Sequence, residues 1–301
     1  AGDPMEMTIL SAGPLTSVQD RGRFGYMHYG ITTSGVLDDK AYASGNALLG
    51  NQAGDACLEM TLKGATIEFH GSGAVAIVGA DMMPHLNGDP VAMNRRIEIA
   101  DGDVLELGFA QTGLRTYLCV EGGMDVPVVY GSRSTNLKCG FGGLNGRKLR
   151  DGDVLTTCSV TEYRRKGTPF AEEYHLPEGE DMTVRVILGP QEDMFTEQAV
   201  RDFLNDPYKV TPESDRMGIR LSGTALESVH GMDIISDAIP LGSIQVAADG
   251  QPIILLADRQ TTGGYAKIAT VISRDIWKLA QARPGTTLHF EAVTVRQSRR
   301  V

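Results

Sequence analysis

Isolated glycines constrain this chain more than any other feature. Of its 301 residues, 36 are glycine, against about 7 per cent in an ordinary protein. They fall singly between short apolar runs. They show neither the G-X-Y period of collagen nor the Gly/Ser tracts of a flexible linker. Glycine takes positive φ without steric penalty, so each one marks a place where the chain can turn. Many turns between short apolar runs mean many short strands. The expected fold is therefore mainly β with a few short helices. Hydrophobic residues, 42% of the chain, supply a core and exclude global disorder.

At about 150 residues per domain, the length suggests two domains. Lys and Arg number 28 against 38 Asp and Glu, a formal charge of −10. A body this acidic repels phosphate backbones and anionic lipid heads, so nucleic-acid and membrane partners are not expected. None of the four cysteines (Cys57, Cys119, Cys139, Cys158) forms a C-x-x-C pair. Cys119, inside Tyr117-Leu118-Cys119-Val120, reads as a small core residue. Free thiols, no apolar run long enough to span a bilayer and no leader-like segment give a cytoplasmic expectation.

Along the chain, a strand is expected at Met7–Leu10, then a glycine-rich loop over 12–36. A helix follows from Asp38 to Leu49. Residues 56–158 read as β. Leu58–Leu62 and Thr66–Phe69 alternate, with Glu59 and Glu68 on the polar side. The stretches Ile99–Leu105 and Leu149–Leu155 both carry Asp-Gly-Asp-Val-Leu, and each predicts a hairpin, because Gly102 and Gly152 can take the positive φ of the turn. Residues 161–182 are the linker candidate, which puts an N-terminal lobe at 5–165 and a C-terminal lobe at 166–301. In the second lobe the pattern predicts a strand at Val184–Leu188, helices at Asp193–Leu204 and Ile272–Gln281, and a closing strand at Thr286–Val295. Asp20-Arg21 with Gly25-Tyr26 is echoed by Asp258-Arg259 with Gly264-Tyr265, which suggests that the two ends of the chain are related substructures.

Several motifs are absent. There is no G-x-x-x-x-G-K-[ST] phosphate loop, no G-x-G-x-x-G after a strand and no G-x-S-x-G elbow. The six histidines show no H-x-x-x-H spacing, so no metal site is expected. The glycine-rich run Gly140–Lys148 lacks the phosphate-loop ending and reads as a wide turn. What remains is a dense polar segment, Asp258-Arg259-Gln260-Thr261-Thr262-Gly263-Gly264-Tyr265-Ala266-Lys267, set between apolar strands. Gly263 and Gly264 free backbone amides to cradle an anion or carbonyl oxygen. Gln260, Thr261 and Thr262 can bond an amide or ureido group, and Lys267 can oppose developing oxyanion charge. The competing reading is a solvated hairpin whose Asp258 and Arg259 pair with each other. Two further clusters are Gly131-Ser132-Arg133-Ser134-Thr135 and Ser214-Asp215-Arg216-Met217-Gly218. Their arginines suit either a ligand carboxylate or phosphate, or the tying-down of a loop.

Read together, these segments resemble the biotin-dependent carboxyltransferase-like family, also called allophanate hydrolase subunit 2 or KipA-like. The resemblance runs from Ile9 to Phe290. It is carried by Gly13-Pro14-Leu15-Thr16-Ser17-Val18-Gln19-Asp20-Arg21-Gly22, Gly25-Tyr26-Met27-His28-Tyr29-Gly30, Ser34-Gly35 with Asp38 and Asn46, Gly242-Ser243-Ile244-Gln245-Val246, and the three polar clusters. Thr32 and Ala247 stand where the family often has proline, and Asn136 where it often has Asp.

The resemblance implies a cyclophilin-like β-barrel in a two-lobed chain. It also implies partner chains: an allophanate hydrolase subunit 1 or KipI-like protein and a LamB/YcsF-like subunit. In the branch that includes a component of bacterial 5-oxoprolinase, such a complex uses ATP to open the lactam of 5-oxoproline, giving glutamate. The chain carries no biotin-carrier Met-Lys-Met segment, so a urea- or allophanate-type carboxyltransferase using biotin is the alternative. A non-catalytic antagonist of a KipI-like kinase inhibitor is a third reading. On the first, Lys267, Tyr265 and Gln260 are the expected catalytic residues. Thr261, Thr262, Gly263, Gly264, Arg133, Ser134, Arg216 and Ser34 would bind the lactam or ureido substrate. Asp20, Arg21, Asp258 and Gln245 would support them.

Overall fold

The computed structural model describes residues 2–160, 172–229, 231 and 233–300. The chain divides into two compact units. One runs up to Phe24 and resumes over Ser34–Leu176; the other comprises Gly25–Thr33 and the chain from Pro177 onward. Of the expected linker at 161–182, residues 161–171 lie outside the described residues, and from Asp181 the chain is already strand.

The first unit contains β1 (Glu6–Ser11), β2 (Leu15–Gln19), helix α1 (Asp39–Leu48), β3 (Cys57–Thr61), β4 (Thr66–His70), β5 (Gly73–Gly79), β6 (His85–Leu86), β7 (Asp89–Pro90), β8 (Arg96–Ile99), β9 (Val104–Glu106), β10 (Arg115–Val120) and β11 (Val154–Thr156). They form a six-stranded sheet, β11-β1-β4-β9-β6-β7, and a five-stranded sheet, β2-β3-β10-β5-β8. The expected alternation holds in β4, where Ile67 and Phe69 are buried and Glu68 is not. Met7, Ile9, Ile67 and Leu105 of one sheet share a single apolar core with Val18, Leu58, Val75 and Leu118 of the other. This is the packing of a β-sandwich.

Both Asp-Gly turns depart from the hairpin expectation. Strand β8, before Gly102, belongs to the five-stranded sheet; β9, after it, belongs to the six-stranded one. The turn therefore carries the chain between sheets. Its twin at Gly152 leads into β11 from a segment that is not a strand. The two are built alike. Gly102 N donates to Phe69 O and Phe69 N to Asp103 O, both at 2.8 Å; Gly152 N donates to Ile9 O at 2.7 Å and Ile9 N to Asp153 O at 2.8 Å. Asp103 and Asp153 each accept from the backbone three residues back, from Ala100 N and Arg150 N. The repeated sequence is thus a repeated structure, used to hold a corner to a neighbouring strand.

Glu59 was expected on the polar side of β3, yet it is buried. The reason is the segment that enters α1: the helix packs on β5 and β10, and Leu37, just before it, and Tyr117 of β10 both bond the Glu59 carboxylate on the second face of the sheet. A strand covered on both faces reads as a continuous apolar run, as Tyr117–Val120 does. The helix is tied down at its N-terminus. Asp38 caps it by accepting from Ala41 N at 2.9 Å, and accepts also from the Tyr174 hydroxyl. Asp38 N donates to the Tyr117 oxygen at 2.8 Å, and Tyr117 donates to Glu59 Oε2 at 2.7 Å, which also accepts from Leu37 N at 2.9 Å. Burial, and then the Glu59 carboxylate, push the Tyr117 phenol well above its usual pKa, so it stays a donor.

The second unit contains β12 (Asp181–Leu188), α2 (Glu197–Asn205), β13 (Tyr208–Val210), β14 (Gly218–Ser222), β15 (Asp233–Ala238), β16 (Ser243–Val246), β17 (Pro252–Leu255), β18 (Thr262–Tyr265), β19 (Lys267–Val271), α3 (Ile276–Leu279), β20 (Thr287–Ala292) and α4 (Val295–Ser298). Seven of these strands close the expected barrel in the order β12-β19-β16-β17-β14-β13-β20, while β15 and β18 form a separate two-stranded ribbon. A parallel pairing from Asp181↔Thr287 to Val186↔Ala292 closes the ring. Val184, Val186, Ile244, Val246, Ile254 and Leu288 fill its core. Phe203 of α2 stacks on Phe290 with ring centroids 4.4 Å apart.

Two helices are shorter than the sequence suggests. Residues Glu192–Met194 form a 3-10 turn, and α2 starts only after Thr196, whose hydroxyl caps Ala199 N. The stretch expected as one helix over Ile272–Gln281 opens with a 3-10 turn at Ser273–Asp275. The echo between Gly25-Tyr26 and Gly264-Tyr265 does not extend to local structure: the first pair lies outside any strand, the second inside β18.

Gly45 lies in the middle of α1, where alanine would ordinarily be preferred by about 1 kcal/mol. A Cβ there would lie 2.5 Å from Cys119 Sγ and 3.2 Å from Cys119 Cβ. Overpacking of this kind costs roughly 1–3 kcal/mol. Gly45→Ala should therefore lower stability in denaturant titration, and Cys119→Ala in the same chain should restore it. A Gly45→Ala protein as stable as wild type would show that Cys119 gives way without cost.

Candidate functional site

The residues singled out in the sequence fall into two clusters, one in each unit. In the first unit Asp20 follows directly on β2 and is saturated by the loop at 132–134. Its Oδ1 accepts from Ser132 Oγ at 2.6 Å, Ser134 Oγ at 2.7 Å and Gly22 N at 2.9 Å; its Oδ2 accepts from Arg133 N at 2.8 Å. Arg133 donates through Nη1 to Val126 O at 2.8 Å, Met124 O at 3.3 Å and Asp125 Oδ1 at 3.2 Å. Internal partners thus take the place of the ligand carboxylate expected for Arg133, and Ser134 serves Asp20. Arg21 is exposed, with its guanidinium beside Gly54. Ser34 is buried at a positive φ of 50°, and among the described residues its Oγ has no hydrogen-bond partner.

Sequence reasoning passed over Arg23, the residue that organises this loop. It is 1% exposed. Its Nε donates to Val129 O at 2.7 Å, and Nη2 donates to Ser132 O at 3.2 Å and Ser134 O at 3.0 Å. Its guanidinium sits 4.9 Å from the centroid of the Phe141 ring. Burial lowers its pKa, against the pull of Asp20. The wide turn at Gly140–Gly146 closes onto it: a Cβ at Gly142 would lie 2.2 Å from Ser134 O, and one at Gly143 would lie 2.0 Å from Thr135 Oγ1. Those glycines serve close approach of backbone to backbone.

The second cluster lies at one edge of the barrel. Arg216 pairs with Asp258, 42 residues on, and not with the adjacent Asp215. Nε–Oδ2 is 2.9 Å and Nη2–Oδ1 is 3.2 Å, with both side chains buried. Asp215 caps its own turn instead, accepting from Met217 N and Gly218 N. Arg259 does not pair with Asp258 either. It is buried and donates to Ile239 O at 2.8 Å, with longer contacts to Leu256 O, Thr33 Oγ1 and Met27 Sδ. Burial lowers its pKa to about 10. Thr32, at a position where proline is common in the resembling family, donates its hydroxyl to Ala257 O at 2.7 Å.

Beyond this framework the polar segment opens. Gln260 and Thr262 are exposed, Thr261 is partly buried and Tyr265 is 39% exposed at the end of β18. The chain then enters the barrel at Lys267, which the register sets opposite Gln245 of β16. Lys267 N donates to Gln191 Oε1 at 2.9 Å. The side chain is 1% exposed, yet among the described residues its Nζ has no hydrogen-bond partner. Gln245 is 7% exposed, and its Nε2 has none either. A Cβ at Gly263 would lie 3.0 Å from that Nε2 and 2.8 Å from Ile239 Cδ1, so only glycine leaves this space. The structure thus gathers Lys267, Gln245 and Gly263. It adds Asp237 of β15, whose Oδ2 lies 3.9 Å from Nζ. Nothing local in the sequence marks Asp237; the pairing of β15 with β18 brings it there.

An amine and an amide N–H, both buried and both unspent, are the donors that an anionic or carbonyl oxygen requires. Among the described residues no group of three or more His, Cys, Asp or Glu side chains could hold a metal ion. No helix among them is long and apolar enough to cross a membrane.

The Arg216–Asp258 pair yields a test of what frames this site. Removing one partner of a buried pair strands the other charge, at a cost of roughly 3–5 kcal/mol. Asp258→Asn should destabilise the chain by about that much in denaturant titration. Arg216→Met with Asp258→Leu should recover part of the loss, because the Arg216 charge goes with its partner, while the buried Arg259 still loses the field of Asp258.

The sequence matches the family model for the carboxyltransferase domain, subdomains A and B, over residues 29–292. The 5-oxoprolinase C subunit of Escherichia coli is 38% identical over 297 residues, which cover 97% of this chain and 94% of that protein. The corresponding 5-oxoprolinase C subunit of Haemophilus influenzae is 36% identical, covering 96% of this chain and 92% of its own. The urea amidolyase of Saccharomyces cerevisiae is 30% identical across 99% of this chain, but only 17% of its own length is matched. Among solved structures, the urea amidolyase of K. lactis superposes with a TM-score of 0.90 at 32% identity, covering 99% of this chain and 19% of that one. The chain therefore spans about a fifth of that larger enzyme. It belongs to the carboxyltransferase-domain family.

Proposed function

We propose that this member of the carboxyltransferase-domain family is a subunit of an ATP-dependent 5-oxoprolinase complex, which opens the lactam of 5-oxoproline to give glutamate. The observation that carries this reading is end-to-end correspondence with two 5-oxoprolinase subunits, which are matched over 94% and 92% of their own lengths. The urea amidolyases share the domain, but as a small part of a longer chain.

A lactam nitrogen is a poor leaving group, and the carbonyl carbon is a weak electrophile. Transfer of the terminal phosphoryl group of ATP to the lactam oxygen, with loss of ADP, makes the carbon open to water. Water adds to that carbon, and the ring C–N bond breaks with the nitrogen leaving as an amine. A second water releases phosphate, giving glutamate. The electron pair moves to the ring nitrogen when the first water adds, and to oxygen when the second water attacks the acyl phosphate. The buried Lys267 amine and the Gln245 amide are the groups of this chain suited to hold an anionic oxygen of the substrate in place for these steps. Gln260, Thr261, Thr262, Gly264 and Tyr265 line the approach along the ribbon. The partners in this reading are an allophanate hydrolase subunit 1 or KipI-like protein and a LamB/YcsF-like subunit.

The test is glutamate release from 5-oxoproline and ATP by the reconstituted subunits. Omitting this chain should abolish release, and Lys267→Met should lower kcat/KM by about ten- to a hundredfold, the weight of one charge-assisted hydrogen bond to a bound anion. An unchanged rate without this chain would refute the reading. An unchanged rate in Lys267→Met would refute the site alone. Biotin-dependent carboxyl transfer to urea, with no glutamate release, would favour the reading suggested by the urea amidolyases.

A further inference from the structure

The ribbon of β15 and β18 is built unlike the rest of the second unit. Its ladder is irregular between Asp233 and Asp237. Five of the six residues of β15 are exposed, with Ile235 at 94%. A ribbon that buries so little apolar surface belongs to the least stabilised parts of a fold. Its base, by contrast, is fixed: Ile239 N donates to Thr261 O at 3.0 Å, and Ile239 O accepts from the buried Arg259. Asp237 lies on this ribbon. Its Oδ1 accepts from Ala238 N at 2.8 Å, while its Oδ2 faces Lys267 Nζ at 3.9 Å. The Asp237 side chain is 59% exposed and the Lys267 side chain 1%.

Leaving the donors of a buried ammonium unsatisfied is costly, and a carboxylate at 3.9 Å supplies charge without a hydrogen bond. The amide of Gln245, on the strand beside Lys267, is unsatisfied as well. From this we infer that Lys267 and Gln245 form a carboxylate-binding subsite that Asp237 covers when no ligand is bound, and that a ligand carboxylate displaces Asp237 and lifts the ribbon. The inference rests on the proposed site, and it assigns to that site the acidic group of the substrate and a competing group of the chain's own.

The test is acetylation of lysines in the full-length chain by an N-hydroxysuccinimide ester, read by peptide mass spectrometry. Asp237→Asn should raise the rate at Lys267 by about fivefold, the weight of an ion pair with one exposed partner. Exposed lysines such as Lys209 should be unaffected, and Asp237→Glu should restore protection. 5-Oxoproline should protect Lys267 in Asp237→Asn, whereas its neutral carboxamide should not. Equal labelling of wild type and Asp237→Asn would overturn the inference, as would equal protection by the neutral amide. Protection by acetate or glutamate but not by 5-oxoproline would uphold the subsite while counting against the lactam reading. None of these readouts depends on turnover, so a failed activity assay and a failed subsite remain distinguishable.

Discussion

A charge taken out of water has to be matched inside the protein, and the buried charges of this chain show how much of its sequence serves that end. Asp258 and Arg216 meet through two hydrogen bonds. They thereby lock the turn after β17 to the turn before β14. Asp20 does the same work in the first unit with a different partner set, two hydroxyls and two backbone amides. Arg23 and Arg259 are matched by backbone carbonyls. A guanidinium suits this role because its donors fan out in a plane and it keeps its charge when buried. Loops tied in this way hold one conformation without a strand or helix to enforce it.

That division of labour explains which sequence expectations hold and which do not. Short strands are legible because alternation and glycine turns are local, and the barrel follows from enough of them. Glu59 is not legible as a buried residue: Leu37 and Tyr117, which bond its carboxylate, lie in different stretches of sequence. The Asp-Gly turns are legible as turns, but whether the flanking strands pair with each other or join different sheets depends on distant partners. Thr196 could have been read as the cap of α2, since it stands three residues before Ala199 at the start of the buried stripe. The expected start at Asp193 instead follows Met194, whose hydrophobicity belongs to the preceding turn.

The candidate site divides along the same line. Residue type alone cannot separate an arginine that binds a ligand from one that binds a loop, and Arg133 and Arg216 both have internal partners. Gly263 is the informative glycine of its segment. Its value lies less in positive φ than in the missing side chain, which would otherwise press on Gln245 and Ile239. Asp237 was not legible at all, because a single acid on an exposed strand matches any solvated edge.

Lys267 stands apart from these matched charges. Arg216, Asp258, Asp20 and Arg259 each have direct hydrogen bonds to their partners, whereas among the described residues Lys267 Nζ faces a carboxylate beyond hydrogen-bond reach and no hydrogen-bond acceptor. Stability alone would favour an uncharged residue there, since replacing a poorly matched buried charge with a packed apolar side chain is neutral or stabilising. A lysine at such a position costs folding energy that a carboxylate 3.9 Å away offsets only in part. Unsatisfied buried donors of this kind are what the proposed carboxylate subsite would use. The framework bonds lie just before these donors in the chain: Arg216 holds Asp258, and Arg259 holds Ile239 O, at the turn that leads into Gly263 and Lys267.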